Sequence, residues 1–201
     1  MAKSGKISVI LFFIIVILCI SSKVYASFDD SQIIIRSLLS PTLDFIDTNN
    51  FHKVDNKYYR GGQPDEDDYL SFALLGIKTV INLRNIDKED IDKQEKFVSR
   101  FGMNYVSIPM KASQPPTNEQ ISYFFKLIDN TENLPVYVHC WQGKDRTGIM
   151  TALYRVRDYG WDFEQAYSEM KDKGYHSRIY PKQREFLYSF TQKFFSLSDN
   201  N

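Results

Sequence analysis

Cysteine is nearly absent from this chain, with two in 201 residues, Cys19 and Cys140. A disulfide-stapled scaffold is thereby excluded, because such folds depend on several bridges. An excess of charge of one sign is missing too. Lys plus Arg number 25 and Asp plus Glu number 25. The chain therefore lacks the basic field used for sequence-independent nucleic-acid binding, and any anion it recognises must be met by a local site. There is also no internal repeat, low-complexity tract or linker that would split a domain. What is present is 43% apolar and 15% aromatic residues, enough to bury one core and to argue against a disordered chain.

Residues 1–26 stand apart. Lys3 and Lys6 precede an apolar run over about residues 7–20, and Val24-Tyr25-Ala26 before Ser27 matches the small-x-Ala cleavage pattern of an export signal. The run is shorter than the roughly 20 residues that span a bilayer, which favours a cleaved signal peptide over an uncleaved membrane anchor. Leu18 before Cys19 is not the small residue of a lipoprotein site. The expected location is exported, periplasmic or secreted. Cleavage removes Cys19 with Lys3, Lys6 and Lys23, leaving 22 basic against 25 acidic side chains and Cys140 as the single cysteine. An unpaired thiol in an oxidising compartment is either buried and inert or kept for its chemistry.

Residues 27–50, with Asp29-Asp30, Pro41 and Asn49-Asn50, read as a leader that packs on the domain that follows, over 51–197. There, β-branched and aromatic segments at 56–60, 78–83, 104–110 and 135–139 predict strands. Amphipathic patterns at 65–75, 88–101, 118–130, 147–159, 163–173 and 182–195 predict helices. Gly76, Gly102, Gly160 and Gly174 stand where left-handed helix ends are expected. Strands and helices alternating at these lengths imply an α/β fold, a mainly parallel central sheet flanked by helices on both faces.

The run His139-Cys140-Trp141-Gln142-Gly143-Lys144-Asp145-Arg146-Thr147-Gly148 joins a predicted buried strand to a predicted helix. A loop feeding a helix N-terminus at the carboxyl end of a strand offers unpaired N–H groups and the positive end of the helix dipole, which is an anion site. A cysteine at its start has its thiolate form favoured by the same groups. Arg146, six residues on, can curl back and hold two phosphate oxygens with its planar fork.

Cys140, Arg146, His139 before them and Thr147-Gly148 after them resemble the signature loop of the cysteine-dependent protein tyrosine and dual-specificity phosphatases. The likeness extends from about Phe51 to the C-terminal helices. It implies hydrolysis of phosphomonoesters with Cys140 as nucleophile, a phosphocysteine intermediate and Arg146 as phosphate clamp. It also implies an oxyanion cradle made by the backbone N–H groups of residues 141–146, which include Trp141, Gln142 and Gly143. Thr147 corresponds to a hydroxyl that donates to the departing thiolate, with a plain first-turn residue as the alternative. His139 corresponds to a residue ordering the loop from behind, and Trp141 is either pocket wall or core. No metal or cofactor is implied.

The family's usual acid, an Asp on a separate loop, has no counterpart, because residues 107–116 contain no carboxylate. Glu119 follows at a helix start, where acidic residues commonly serve the dipole. Asp145 is the remaining candidate. A carboxylate there resembles the myotubularin-type phosphoinositide phosphatases, and Gly-Lys-Asp-Arg resembles secreted bacterial phosphatases acting on phosphotyrosine and phosphoinositides. Repulsion from a bound phosphate would favour its protonated form. The alternative turns Asp145 outward to a base such as Lys111 or Arg184.

Lys144 and Lys111 add charge that points to substrates with more than one phosphate, or are merely solvated. The segment Tyr58-Tyr59-Arg60-Gly61-Gly62-Gln63-Pro64 with Gly76 to Arg84 resembles the atypical dual-specificity subgroup, some of whose members act on inositol pyrophosphates. Gln183 is a candidate to position the hydrolytic water. The expected partners are a phosphorylated protein, or an inositol phosphate or phosphoinositide met at a membrane surface, and no nucleic acid. Two other classes stay open: a phosphate-binding pseudophosphatase acting as an interaction module, favoured by the missing loop Asp, and a sulfur-transfer enzyme, whose loops generally lack the Arg-Thr-Gly continuation.

Overall fold

Five strands form one sheet in the order β1-β2-β5-β3-β4, where β1 is His52–Lys53, β2 Tyr58–Gly61, β3 Thr79–Arg84, β4 Asn104–Met110 and β5 Val136–His139. The computed structural model describes residues 46–198. The expected signal peptide and the leader up to residue 45 lie outside the described residues. β2, β5, β3 and β4 run parallel and only the β1–β2 pair is antiparallel, as the alternating pattern of strands and helices implied.

The helices are α1 Glu66–Leu74, α2 Lys88–Ser99, α3 Asn118–Asp129, α4 Asp145–Tyr159, α5 Phe163–Asp172 and α6 Pro181–Ser198. Successive strand side chains point to opposite faces, and both faces are covered. Tyr58, Ile81, Leu83, Val136 and Val138 pack with Phe124, Leu153, Met170 and Leu187 from α3 to α6. Tyr59, Val80 and Tyr137 pack with Tyr69, Phe72 and Val98 from α1 and α2. Each fully buried aliphatic or aromatic side chain among these contributes about 1.5–3 kcal/mol.

Local signals set the element ends. Asp87, Thr117 and Asp162 each accept an N–H of the first turn of α2, α3 and α5, and Thr117 and Asp162 do so within capping boxes. Gly160 ends α4 in the left-handed conformation, φ 65°. The β3–β4 register slips between Asn82 and Arg84, beside Pro109, which has no N–H to give to a ladder. From the leader, residues 46–50 are described and dock on the domain: the Gly62 N–H donates to the Asn49 carbonyl at 2.7 Å, and the Thr48 hydroxyl donates to Asp68.

Candidate active site

The carboxyl end of β5 lies between those of β2 and β3, with His139 opposite Gly61 on one side and Asn82 on the other. Such crevices beyond the strand ends are where open α/β sheets bind ligands. The chain leaves β5 at Cys140 and enters α4 at Asp145. Between them Gly143 has φ 69°, and a Cβ there would lie 2.5 Å from the carbonyl carbon of Gly61 and 2.7 Å from the nitrogen of Gly62. Those neighbours are backbone and cannot yield, so no other residue fits.

The Gly143 carbonyl is gripped from outside the loop. Arg60 Nη2 donates to it at 2.6 Å and Asn50 Nδ2 at 2.9 Å. A carbonyl drawn that way leaves the N–H groups of the loop free for another acceptor. None of the N–H groups of residues 141–146 donates to a protein acceptor among the described residues. Unlike α2, α3 and α5, helix α4 has no side-chain cap: Lys144 stands at its N-cap, and the one carboxylate nearby, Asp145, bonds elsewhere. An uncapped helix start in series with a loop of unpaired N–H groups is a preformed anion cradle.

Cys140 opens this loop as a free thiol, 3% exposed. Arg146 closes it, its Nη1 tethered to the Met110 carbonyl at 3.4 Å, at the end of β4 next to the exposed Lys111. The Thr147 hydroxyl, expected to serve the sulfur, makes its hydrogen bond to the Gly61 carbonyl at a long 3.5 Å. His139 is fully buried, stacked on Tyr137, with Nδ1 3.2 Å from the Cys140 carbonyl and Nε2 without a partner. Burial pushes its pKa down from 6.5 to about 3, and the Arg84 and Arg146 charges act in the same direction. It is a neutral ring that orders the loop and is no proton carrier near neutrality.

That burial has a consequence for stability. Below pH 6.5 the unfolded chain takes up a proton that the folded His139 refuses, so stability is complete above that pH and declines as pH falls toward the folded value. At pH 5 the loss is about 2 kcal/mol. Urea unfolding at pH 7 and pH 5 is expected to show it, and His139→Asn to flatten the difference by that amount. An unchanged pH dependence in the variant would contradict this account. His52, whose pKa is also lowered, chiefly by burial, adds to the slope equally in both proteins.

The remaining candidates are spread around the loop. Trp141 is 60% exposed with the Arg84 guanidinium 4.8 Å from its ring centre, so it belongs to the rim and is not core. Gln142 is exposed. Lys144 lies along the turn after α5, where a Cβ on Gly174 would come within 3.1 Å of its Cε. Gln183, fully buried at the start of α6, donates from Nε2 to the Ala112 carbonyl at 2.9 Å, while its Oε1 is buried without a partner.

Asp145 is engaged by neither expected base. It accepts from the His176 N–H at 2.9 Å and meets His176 Nδ1 at 2.9 Å, whereas Arg184 lies over the rings of Phe163 and Tyr167. The physical reason is chain geometry: the Gly174 turn delivers His176 to the first turn of α4. Glu119 is fully exposed. Its pKa is lowered by hydrogen bonds from its own N–H and from Thr117, so it serves the start of α3.

Three residues were not singled out by sequence reasoning, namely Asn50, Arg60 and His176. Arg60 carries a signal, being an arginine inside the predicted strand at 56–60. Asn50 and His176 carried none, because each reaches the loop through long-range packing.

A central parallel strand, a cysteine-to-arginine loop and an uncapped helix define the architecture of the protein tyrosine phosphatase-like class. Residues 41–186 match the family model described as DSP-PTPase phosphatase fused to NAD+ kinase, and the chain belongs to that family. Dual specificity protein phosphatase TpbA of Pseudomonas aeruginosa is 27% identical over 126 residues, 63% of this chain and 55% of TpbA. Inositol diphosphatase DSP4 of Arabidopsis thaliana is 29% identical over 121 residues, 55% of this chain and 57% of DSP4. The chain thus spans about half the length of the curated relatives it matches. Among solved structures, a candidate phosphatase (DUF442) from Shewanella putrefaciens CN-32 superposes with a TM-score of 0.61 at 25% identity, covering 73% of this chain and 91% of that one.

Proposed function

We propose that this chain is an exported cysteine-dependent phosphatase that hydrolyses phosphomonoesters through a phosphocysteine. The observation that carries the reading is the set of N–H groups of residues 141–146 that are unpaired among the described residues, held between Cys140 and Arg146 by donors to the Gly143 carbonyl. Cradle and clamp bind the phosphate, and the Cys140 thiolate attacks phosphorus as the bond to the leaving oxygen breaks. That oxygen takes a proton from the Asp145–His176 pair, since residues 107–116 hold no carboxylate. Water then attacks phosphorus, returning a proton to the Asp145–His176 pair, and the thiolate departs as the sulfur–phosphorus bond breaks. The Thr147 hydroxyl donates to the departing sulfur, and the unpartnered Oε1 of Gln183 accepts from the water.

The substrates are a phosphotyrosine protein, or an inositol phosphate or phosphoinositide. TpbA is named a dual specificity protein phosphatase and DSP4 an inositol diphosphatase, and Lys144 stands within the loop with Lys111 beside the carbonyl that tethers Arg146. Export rests on the sequence pattern of residues 1–26. The test is phosphate release from a phosphotyrosine peptide, inositol phosphates, phosphoinositides and an activated aryl phosphate, with and without vanadate. Vanadate-sensitive release is expected. Phosphate binding without release from any of them would make the chain a binding module, the reading that the missing loop carboxylate favours.

The same panel tests the acid. Asp145→Asn is expected to slow substrates with poor leaving groups about 10²-fold while sparing the activated aryl phosphate, whose leaving group needs no proton. Equal loss on both would reduce Asp145 to an anchor for His176.

A further inference from the structure

A second concave surface opens beside the cradle, between the end of β3 and α2, with a volume of about 500 Å³. Arg84, Lys93, Lys96 and Arg100 line it, against one carboxylate, Glu66. Lys93 is paired with Glu89 at 2.8 Å, whereas Arg84, Lys96 and Arg100 make no ion pair among the described residues. Tyr69 and Phe97 also line it. Tyr69 is 4% exposed, and its hydroxyl makes no hydrogen bond of good geometry.

Arg84 joins this groove to the loop. Its Nη1 is fixed on Gln63 Oε1 at 2.7 Å, its guanidinium lies over Trp141, and the Gln63 N–H holds the Trp141 carbonyl at 2.9 Å. The groove and the nucleophile loop therefore share one braced wall. A single phosphate is satisfied by the cradle and Arg146, which leaves these cations for another anionic group.

We propose that the groove is a second anion subsite, formed by Arg84, Lys96 and Arg100, that takes a further phosphate of a multiply phosphorylated polyol while the cradle holds the phosphate being removed. This rests on the phosphatase reading above and names the substrate class it serves. The shared chemistry is an inositol ring with several phosphates, free or as a lipid headgroup. A phosphopeptide is less suited. β3, which supplies one wall, is paired on both sides by β5 and β4, so no strand edge is open to a peptide backbone. The open groove of about 500 Å³ also has room for a ring and carries guanidinium and ammonium groups on its walls, which are strong phosphate partners.

The test uses the double variant Lys96→Gln, Arg100→Gln. Both residues are exposed and neither belongs to the loop. KM is measured for an activated aryl phosphate, inositol hexakisphosphate, a phosphoinositide in mixed vesicles and a phosphotyrosine peptide, and the affinity for inositol hexakisphosphate is measured by calorimetry. We expect a rise of about tenfold or more in KM and Kd for the polyphosphates, with the aryl phosphate unchanged. A change with inositol hexakisphosphate alone assigns the free compound, and one with the vesicles as well assigns the ring in either setting. Unchanged values for both polyphosphates, or a change confined to the peptide, overturn the proposal. If the wild type releases no phosphate from any substrate, the phosphatase reading fails, and the calorimetric comparison still decides whether the groove binds polyphosphate.

Discussion

Cys140→Ser is expected to abolish phosphate release from every substrate while phosphate binding survives, and Arg146→Lys to lower kcat/KM about 10³-fold. The two losses have different origins. Serine keeps the shape of the loop but replaces a thiolate with a hydroxyl that no neighbouring base activates, since His139 is buried, held neutral and turned to the Cys140 carbonyl. Lysine at position 146 keeps the charge and loses the planar fork, so two aligned donors to the equatorial oxygens become one mobile donor. Removing a single oxyanion donor typically costs about 10²–10³ in rate, and the tether to the Met110 carbonyl is lost with it. Phosphate release measured beside vanadate affinity separates the cases. Retained turnover in Cys140→Ser would end the phosphocysteine mechanism. An Arg146→Lys variant with full kcat and only a raised KM would make Arg146 a docking group.

The residues that could be read along the chain are those whose roles are set by near neighbours. The amphipathic patterns at 118–130 and 163–173 place the starts of α3 and α5 correctly, and the structure closes each with a capping box, Thr117 with Gln120 and Asp162 with Gln165. Cys140 and Arg146 were legible because one short loop carries both. β1 was not, since His52–Lys53 has too few residues to show alternation and exists through its pairing with β2. The residue pattern predicts the start of α4 at Thr147 and the structure has it at Asp145, because a helix whose N–H groups are reserved for a ligand lacks the cap that announces a start. Asp145 illustrates the other limit. Its charge predicted a basic partner, but the choice of His176 over Lys111 or Arg184 depends on where α5 ends.

Arg60 is the residue for which burial and function pull hardest in opposite directions. It is 1% exposed in β2, donates once, to the Gly143 carbonyl, and leaves Nε and Nη1 buried without partners. No carboxylate pairs with it among the described residues, and Glu169 is committed to Arg155 at 2.9 Å. Burial pulls its pKa down, while the charge of Glu169 acts in the opposite direction. A buried, poorly paired guanidinium destabilises a fold, and replacing such a group by an apolar residue of similar size is often neutral or stabilising. Its compensation comes when an anion enters the loop whose carbonyl it holds.

Arg60→Met is therefore expected to keep or raise the melting temperature while lowering vanadate affinity about tenfold and kcat/KM about 10²-fold. Arg60→Lys separates the two contributions. Recovery with lysine would show that the buried charge matters most, and no recovery would show that the grip on Gly143 does. A methionine variant that melts far lower yet turns over normally would make Arg60 a core residue only. Loss of turnover without loss of stability is the outcome that follows from a cation placed where the fold alone has no use for it.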